Sequence, residues 1–182
     1  DIKKKRSEEL NEILKQYFSF DHFRWQQENG IKISEKFRAD GLNKVLYKCP
    51  HCMAEGKTVG KGTLLTCEAC GKVYELDEYG YMKALDGETE FPHIPDWYAW
   101  ERECVRKEIE DGSYGLEVPV DICVMIDTKA IYKIGSGTLS HSKEGFRLTG
   151  CDGKLDYIQH PSASYSLYSD YYWYEIGDMV CI

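Results

Sequence analysis

The chain has 182 residues, a formal net charge of −8, 42% hydrophobic and 13% aromatic residues. This composition supports a packed core and excludes wholesale disorder. The acidic balance repels a phosphate backbone, so no nucleic acid partner is expected, and no apolar run approaches the roughly 20 residues that span a bilayer.

The charge is uneven: residues 1–48 carry 11 basic and 8 acidic groups, whereas residues 93–182 carry 8 and 15. The basic cluster Lys3-Lys4-Lys5-Arg6 could touch anionic lipid, but a solvated helix start is the better reading. Acids follow it rather than an apolar core, so it does not read as a secretory signal. Asp1 in place of an initiator Met, and a strand-like stretch running to Ile182, suggest a piece of a longer protein.

Apolar residues at Leu10, Ile13, Leu14, Tyr17 and Phe18 fall at helical steps. Ser7 is the expected N-cap, with Glu8 and Glu9 suiting the helix dipole. Asp21 caps a second short helix with Phe23 and Trp25, which Gly30 ends. Residues 31–42 read as an irregular connector. Residues 43–85 read as a ribbon. Gly60-Lys61-Gly62 is the expected turn between strands near 57–59 and 63–66, and residues 72–76 and 81–85 form a hairpin around Glu78-Tyr79-Gly80. The polar stretch 86–92 reads as a linker.

Pro95 suits the first turn of a helix running to about Glu110. Its expected apolar face is Trp97, Trp100, Cys104, Val105 and Ile109. Its charged face is Glu101, Arg102, Glu103, Arg106, Lys107 and Glu108. Beyond Tyr114, short strands are expected near 117–126, 130–134, 137–141, 145–149, 154–160, 163–168, 171–176 and 178–182. Gly135-Ser136-Gly137, Lys143-Glu144-Gly145, Asp152-Gly153, Ser169-Asp170 and Gly177-Asp178 serve as turns. The fold class is α+β: N-terminal helices (1–42), a four-cysteine zinc ribbon (43–85), a linker and amphipathic helix (86–112), and an antiparallel β domain (113–182), expected to be truncated. Turns this regular suggest a partial barrel or sandwich.

The strongest chemical signal is Cys49-Pro-His-Cys52, a gap of 14 residues, then Cys67-Glu-Ala-Cys70-Gly71. Two residues between cysteines let one tight turn present both sulfurs to one ion. The gap allows a hairpin to return the second pair. A redox CxxC would stand alone at a helix start in a βαβ setting, and an iron–sulfur set fits the spacing less well. His51 could compete as a ligand but reads as a solvent-facing turn residue. The assignment is structural zinc on Cys49, Cys52, Cys67 and Cys70, a closed site that stabilises rather than activates water. Because the ribbon looks too small for a core of its own, zinc should supply on the order of 10 kcal/mol towards its folding. Paired cysteines of this kind point to a reducing, cytoplasmic setting. Cys104, Cys123, Cys151 and Cys181 read as small buried hydrophobes.

No nucleophile–base set stands out. His93 and Asp96 could form an oriented general base, but their place before Pro95 reads better as a helix start. His141 and His160 read as surface residues, and Cys104 as core. In the aromatic run from Tyr165 to Glu175, alternation puts Tyr171, Trp173 and Glu175 on one strand face. That face is a candidate binding surface, although a strand covered on both sides is the simpler reading.

The stretches Phe37–Cys52, Thr66–Glu75 and His93–Glu101 together resemble the C-terminal extension of Firmicute 1-acyl-sn-glycerol-3-phosphate acyltransferase-like proteins. The resemblance covers nearly the whole chain. It implies an accessory region following a catalytic domain in a phospholipid-synthesis protein. That family's catalytic His and Asp are separated by four residues. No histidine here has an Asp five positions on, so no catalytic residue carries over. Gly137–Phe146 is similar to a strand–turn–strand of PH-like and GRAM-like domains. The expected partner is the chain's own upstream catalytic domain or another protein, with peripheral membrane association through the parent protein. The alternative is a stand-alone zinc-ribbon interaction module unrelated to lipid metabolism. A third reading is a small enzyme using His93 and Asp96.

Overall fold

The computed structural model describes residues 6–127, 130–163 and 179–180. Within these the chain is α+β, with three α-helices and two four-stranded antiparallel sheets. It forms two compact units, Asp1–Cys104 and Val105–Ile182.

In the first unit, α1 spans Ser7–Phe18 and α2 spans His22–Glu28. Ser7 is the first residue of α1 rather than its cap. Arg6 holds the cap position in extended conformation, with no side-chain bond to the helix. The apolar stripe of α1 is real but covered by nothing among the described residues: none of its side chains is buried, and Phe18 is 83% exposed. Asp21 caps α2 as expected, accepting from the Arg24 backbone N–H at 2.9 Å. Gln26, buried in α2, donates to the carbonyls of Ile31 and Glu78, tying the helix to the ribbon's last turn.

The ribbon strands are β1 (Thr58–Lys61), β2 (Leu64–Cys67), β3 (Val73–Leu76) and β4 (Met82–Ala84), paired in sequence order. The β1–β2 turn is Gly62-Thr63, not Gly60-Lys61-Gly62. Gly60 lies inside β1, where a Cβ would sit 2.3 Å from the Ala39 carbonyl oxygen. It is glycine because the connector crosses the strand there. The hairpin around residues 78–80 forms as expected, its backbone N–H groups at Tyr79 and Tyr81 donating to the Asp77 carboxylate.

Alternation along β2, β3 and β4 sends Leu65, Tyr74, Leu76, Met82 and Ala84 to one face. There they pack with Ala39, Leu46, Ile94 and Trp97. The ribbon strands thus share a hydrophobic core that is not theirs alone, since α3 (Ile94–Asp111) and the preceding connector complete it. Residues 86–92 are no loose linker. Ala84 N–H donates to Thr89, Tyr74 donates to Glu90 at 2.7 Å, and Phe91 stacks towards Trp97 and Trp100.

The second unit contains β5 (Gly115–Asp127), β6 (Ala130–Ser142), β7 (Gly145–Gly150) and β8 (Leu155–Gln159) in a simple meander. The two strands expected at 130–134 and 137–141 are one. Gly135-Ser136-Gly137 is not a turn but part of β6, beside a bulge where the register shifts between Ile122 and Cys123. Gly137 pairs directly with Gly150, and a Cβ on Gly137 would lie 2.0 Å from the Thr149 carbonyl oxygen and 2.8 Å from the Ile122 side chain. These glycines open the space that Ile122 fills. The two-residue Lys143-Glu144 turn, at the centre of the PH-like resemblance, is present. Barrel or sandwich closure and the strand expectations beyond residue 163 rest on residues outside those described, as do Tyr171, Trp173 and Glu175.

Candidate metal centre

Each cysteine pair sits in a turn of the same construction. Cys49 N–H donates to the Ala54 carbonyl and Met53 N–H donates back to the Cys49 carbonyl, both at 2.9 Å. In the second turn Cys67 N–H donates to Lys72 and Gly71 N–H to Cys67, at 2.9 and 2.8 Å. The residue after each pair is left-handed, with φ 76° at Gly71 and 65° at Met53. Glycine takes that conformation freely, whereas Met53 carries the Cβ penalty.

The β1–β2 hairpin brings the turns face to face. Cys49 Sγ lies 3.8 Å from Cys70 Sγ, and Cys52 Sγ lies 3.7 Å from Cys67 Sγ. All four sulfurs lie within 4.8 Å of one another. Such separations are far too long for a disulfide, and the cysteines are free. A tetrahedral ion with metal–sulfur bonds of about 2.3 Å requires sulfur–sulfur edges of about 3.8 Å. The four cysteines are thus close enough to hold a metal ion, and they offer four ligands of one kind.

Without a cation the site does not favour a full set of thiolates. Burial pushes the Cys49 thiol up to about 12 and also raises Cys70. Cys52 is lowered, chiefly by the Ala54 backbone N–H. His51 stands apart from the sulfurs, its Nδ1 3.1 Å from Glu90 Oε1 and its side chain 54% exposed.

No protein-family model, curated protein or solved structure matches this chain.

A feature that the sequence pattern does not reveal lies behind the first turn. Glu101, assigned to the charged face of α3, is fully buried. Its Oε1 accepts from the Lys48 backbone N–H at 2.8 Å, while Trp97 Nε1 donates to the Lys48 carbonyl at 3.0 Å. Two side chains one to two helical turns into α3 thus grip both backbone groups of the residue before Cys49. The Lys48 ammonium is also buried and pairs with Glu55 at 2.9 Å. Desolvation raises the Glu101 carboxyl to about 7, opposed by the backbone N–H groups of Lys48 and Tyr47. A signal is present in the i, i+4 spacing of Trp97 and Glu101, but its meaning depends on which backbone lies opposite.

His93 sits at a helix start, as its place before Pro95 suggested, and its ring is not paired with Asp96. Its Nε2 lies 2.6 Å from Asp21 Oδ2, 72 residues away in sequence, and its ring meets Phe23 edge-on. Its carbonyl accepts from Asp96 and Trp97 N–H, making it the start of α3. An open groove of about 430 Å³ between α1 and α2 is lined by Tyr17, Phe20, Asp21, Arg24 and Trp25 among others, but not by His93 or Asp96. His141 is not a plain surface residue: it stacks on Phe146 at 3.9 Å and bonds the Tyr114 hydroxyl. His160 is exposed as expected. Among the single cysteines, Cys123 is exposed and Cys104 and Cys151 are half-buried, so none is the deeply buried hydrophobe expected. Cys181 lies outside the described residues.

Proposed function

We propose that this chain is a non-catalytic accessory region carrying a structural zinc ribbon, belonging to an acyltransferase-like protein of phospholipid synthesis. The observation that carries the non-catalytic part is the sulfur tetrahedron. With four cysteine ligands at edges of 3.7 and 3.8 Å, a zinc ion has no open position at which to bind water or polarise a substrate. The likeness of residues 37–52, 66–75 and 93–101 to acyltransferase-like proteins supports the second part. On this reading the chain works in the cytoplasm, against its own upstream catalytic domain or another protein, and meets the membrane only through its parent. No described helix is long and apolar enough to cross a membrane.

The test uses the purified chain expressed in zinc-sufficient medium. Elemental analysis should return one zinc per chain, and the protein should transfer no acyl group from acyl-CoA or acyl carrier protein. One iron per chain with thiolate–iron absorption would overturn the zinc assignment, and acyl transfer would overturn the non-catalytic role. The exposed aromatics Tyr17, Phe18, Phe20 and Trp25 favour the alternative of a stand-alone interaction module. A reading frame upstream of Asp1 that encodes no acyltransferase domain would decide for it.

A further inference from the structure

We infer that Glu101, with Trp97, is a positioning residue for the metal centre, aiming the Cys49 sulfur by fixing the backbone of Lys48. This rests on the reading that Cys49, Cys52, Cys67 and Cys70 bind a divalent cation.

The geometry is direct. Each peptide group is planar, and the Lys48 N–H and carbonyl belong to successive peptides, so holding both fixes the plane that enters Lys48 and the plane that enters Cys49. Glu101 holds the first at 2.8 Å and Trp97 the second at 3.0 Å, both in buried positions. The rest of the turn is pinned from other sides. Thr58 Oγ1 donates to the Leu46 carbonyl at 2.8 Å, Gly56 N–H donates to the Tyr47 carbonyl at 2.8 Å, and Lys48 pairs with Glu55 across a β-bridge. Cys49 itself is fully buried, so a misplaced Sγ cannot swing through solvent to recover its ligand position.

Glu101 is a costly means of holding backbone N–H groups. Its other oxygen, Oε2, is buried without a hydrogen-bond partner among the described residues. A leucine there would pack against the core without that cost. The carboxylate is instead aimed at the backbone N–H groups of Tyr47 and Lys48, in the segment that leads into the first ligand. Outer partners of metal ligands characteristically tune affinity by orienting them, and their loss costs about 10–100-fold in metal affinity.

The experiment measures zinc affinity by chelator competition and the ligand field by cobalt substitution in the full chain. Glu101→Ala should weaken zinc binding about 10–100-fold and distort the visible cobalt–thiolate bands. Glu101→Gln, which keeps an acceptor for Lys48 N–H, should stay within a few-fold of wild type. Should Glu101→Ala not fold, Trp97→Phe keeps the ring's bulk, removes only the indole N–H, and carries the same direction of change. A purely structural role predicts something else: equal destabilisation of the metal-free and zinc-loaded forms, with affinity and cobalt spectrum unchanged in every variant. That result overturns the inference. A wild-type chain that binds neither zinc nor cobalt sinks the metal-site reading itself, a distinct outcome.

Discussion

At the residue scale, buried Glu101 makes stability depend on pH. Its carboxyl titrates near 7 in the fold against an ordinary 4.5, with desolvation and the nearby Glu55 charge raising it and the Lys48 and Tyr47 N–H groups and the Lys48 charge lowering it. The folded chain therefore holds this proton more tightly than the unfolded chain. The corresponding stability is fully present below about pH 4.5 and is lost as pH rises through about 7. The amount is on the order of 3 kcal/mol. Denaturant unfolding of the metal-free protein between pH 5 and 8 should show wild type losing stability relative to Glu101→Gln as pH rises. Parallel curves would disprove it. That acid is illegible in sequence because a helical wheel reports which residues share a face, not what lies across from them. The zinc-type ligands are legible for the opposite reason. Two-residue spacing fixes a turn locally, and four thiols need only one hairpin to meet.

At the element scale, the glycines divide what can be read from what cannot. Gly30, Gly80 and Gly112 have φ between 60° and 85° and end helices or close a turn, as their neighbours imply. Gly60, Gly135 and Gly137 have the local look of turn residues but lie within strands, with no left-handed φ among them. They are glycine because another chain segment passes where a Cβ would be, a long-range fact that no local pattern carries. Gly137→Ala puts a methyl into the Thr149 carbonyl and the Ile122 side chain. It should destabilise the second unit by about 2 kcal/mol or more through overpacking. Hydrogen exchange in β6 and β7 should accelerate while β2 and β3 stay protected. Equal effects in both sheets would refute the assignment. Residues 86–92 mislead for a related reason: the Thr89 and Glu90 side chains and the Asp86 and Glu88 carbonyls bond to the ribbon, so composition alone resembles a tether.

At the scale of the whole molecule, two units with separate sheets should respond separately to loss of metal. Chelation should expose backbone amides in the two cysteine turns and β1–β2 first, with Leu46–Lys48 following as Lys48 loses its register, while Gly115–Gln159 remains protected. Exchange mass spectrometry with and without chelator tests this, and uniform loss of protection across both regions would contradict it. The α+β class and the order of the elements follow from periodicity and turns, although the unbroken β6 of the second meander does not. What joins them does not. The ribbon's core draws Trp97 and Ile94 from a helix beyond a supposed tether and Ala39 from the preceding connector, so no short window of sequence contains it.

The division between the units falls at Cys104 and Val105, inside an unbroken helix that ends only at Asp111. Anyone splitting the gene at that boundary would sever the helix and strip hydrogen-bond partners from the carbonyls of its final remaining turn. The natural scissors mark is Gly112, where the backbone already turns left-handed with φ 77°. A ribbon half trimmed there keeps its helix whole, and a sheet half can begin at Ser113 without inheriting an orphaned turn.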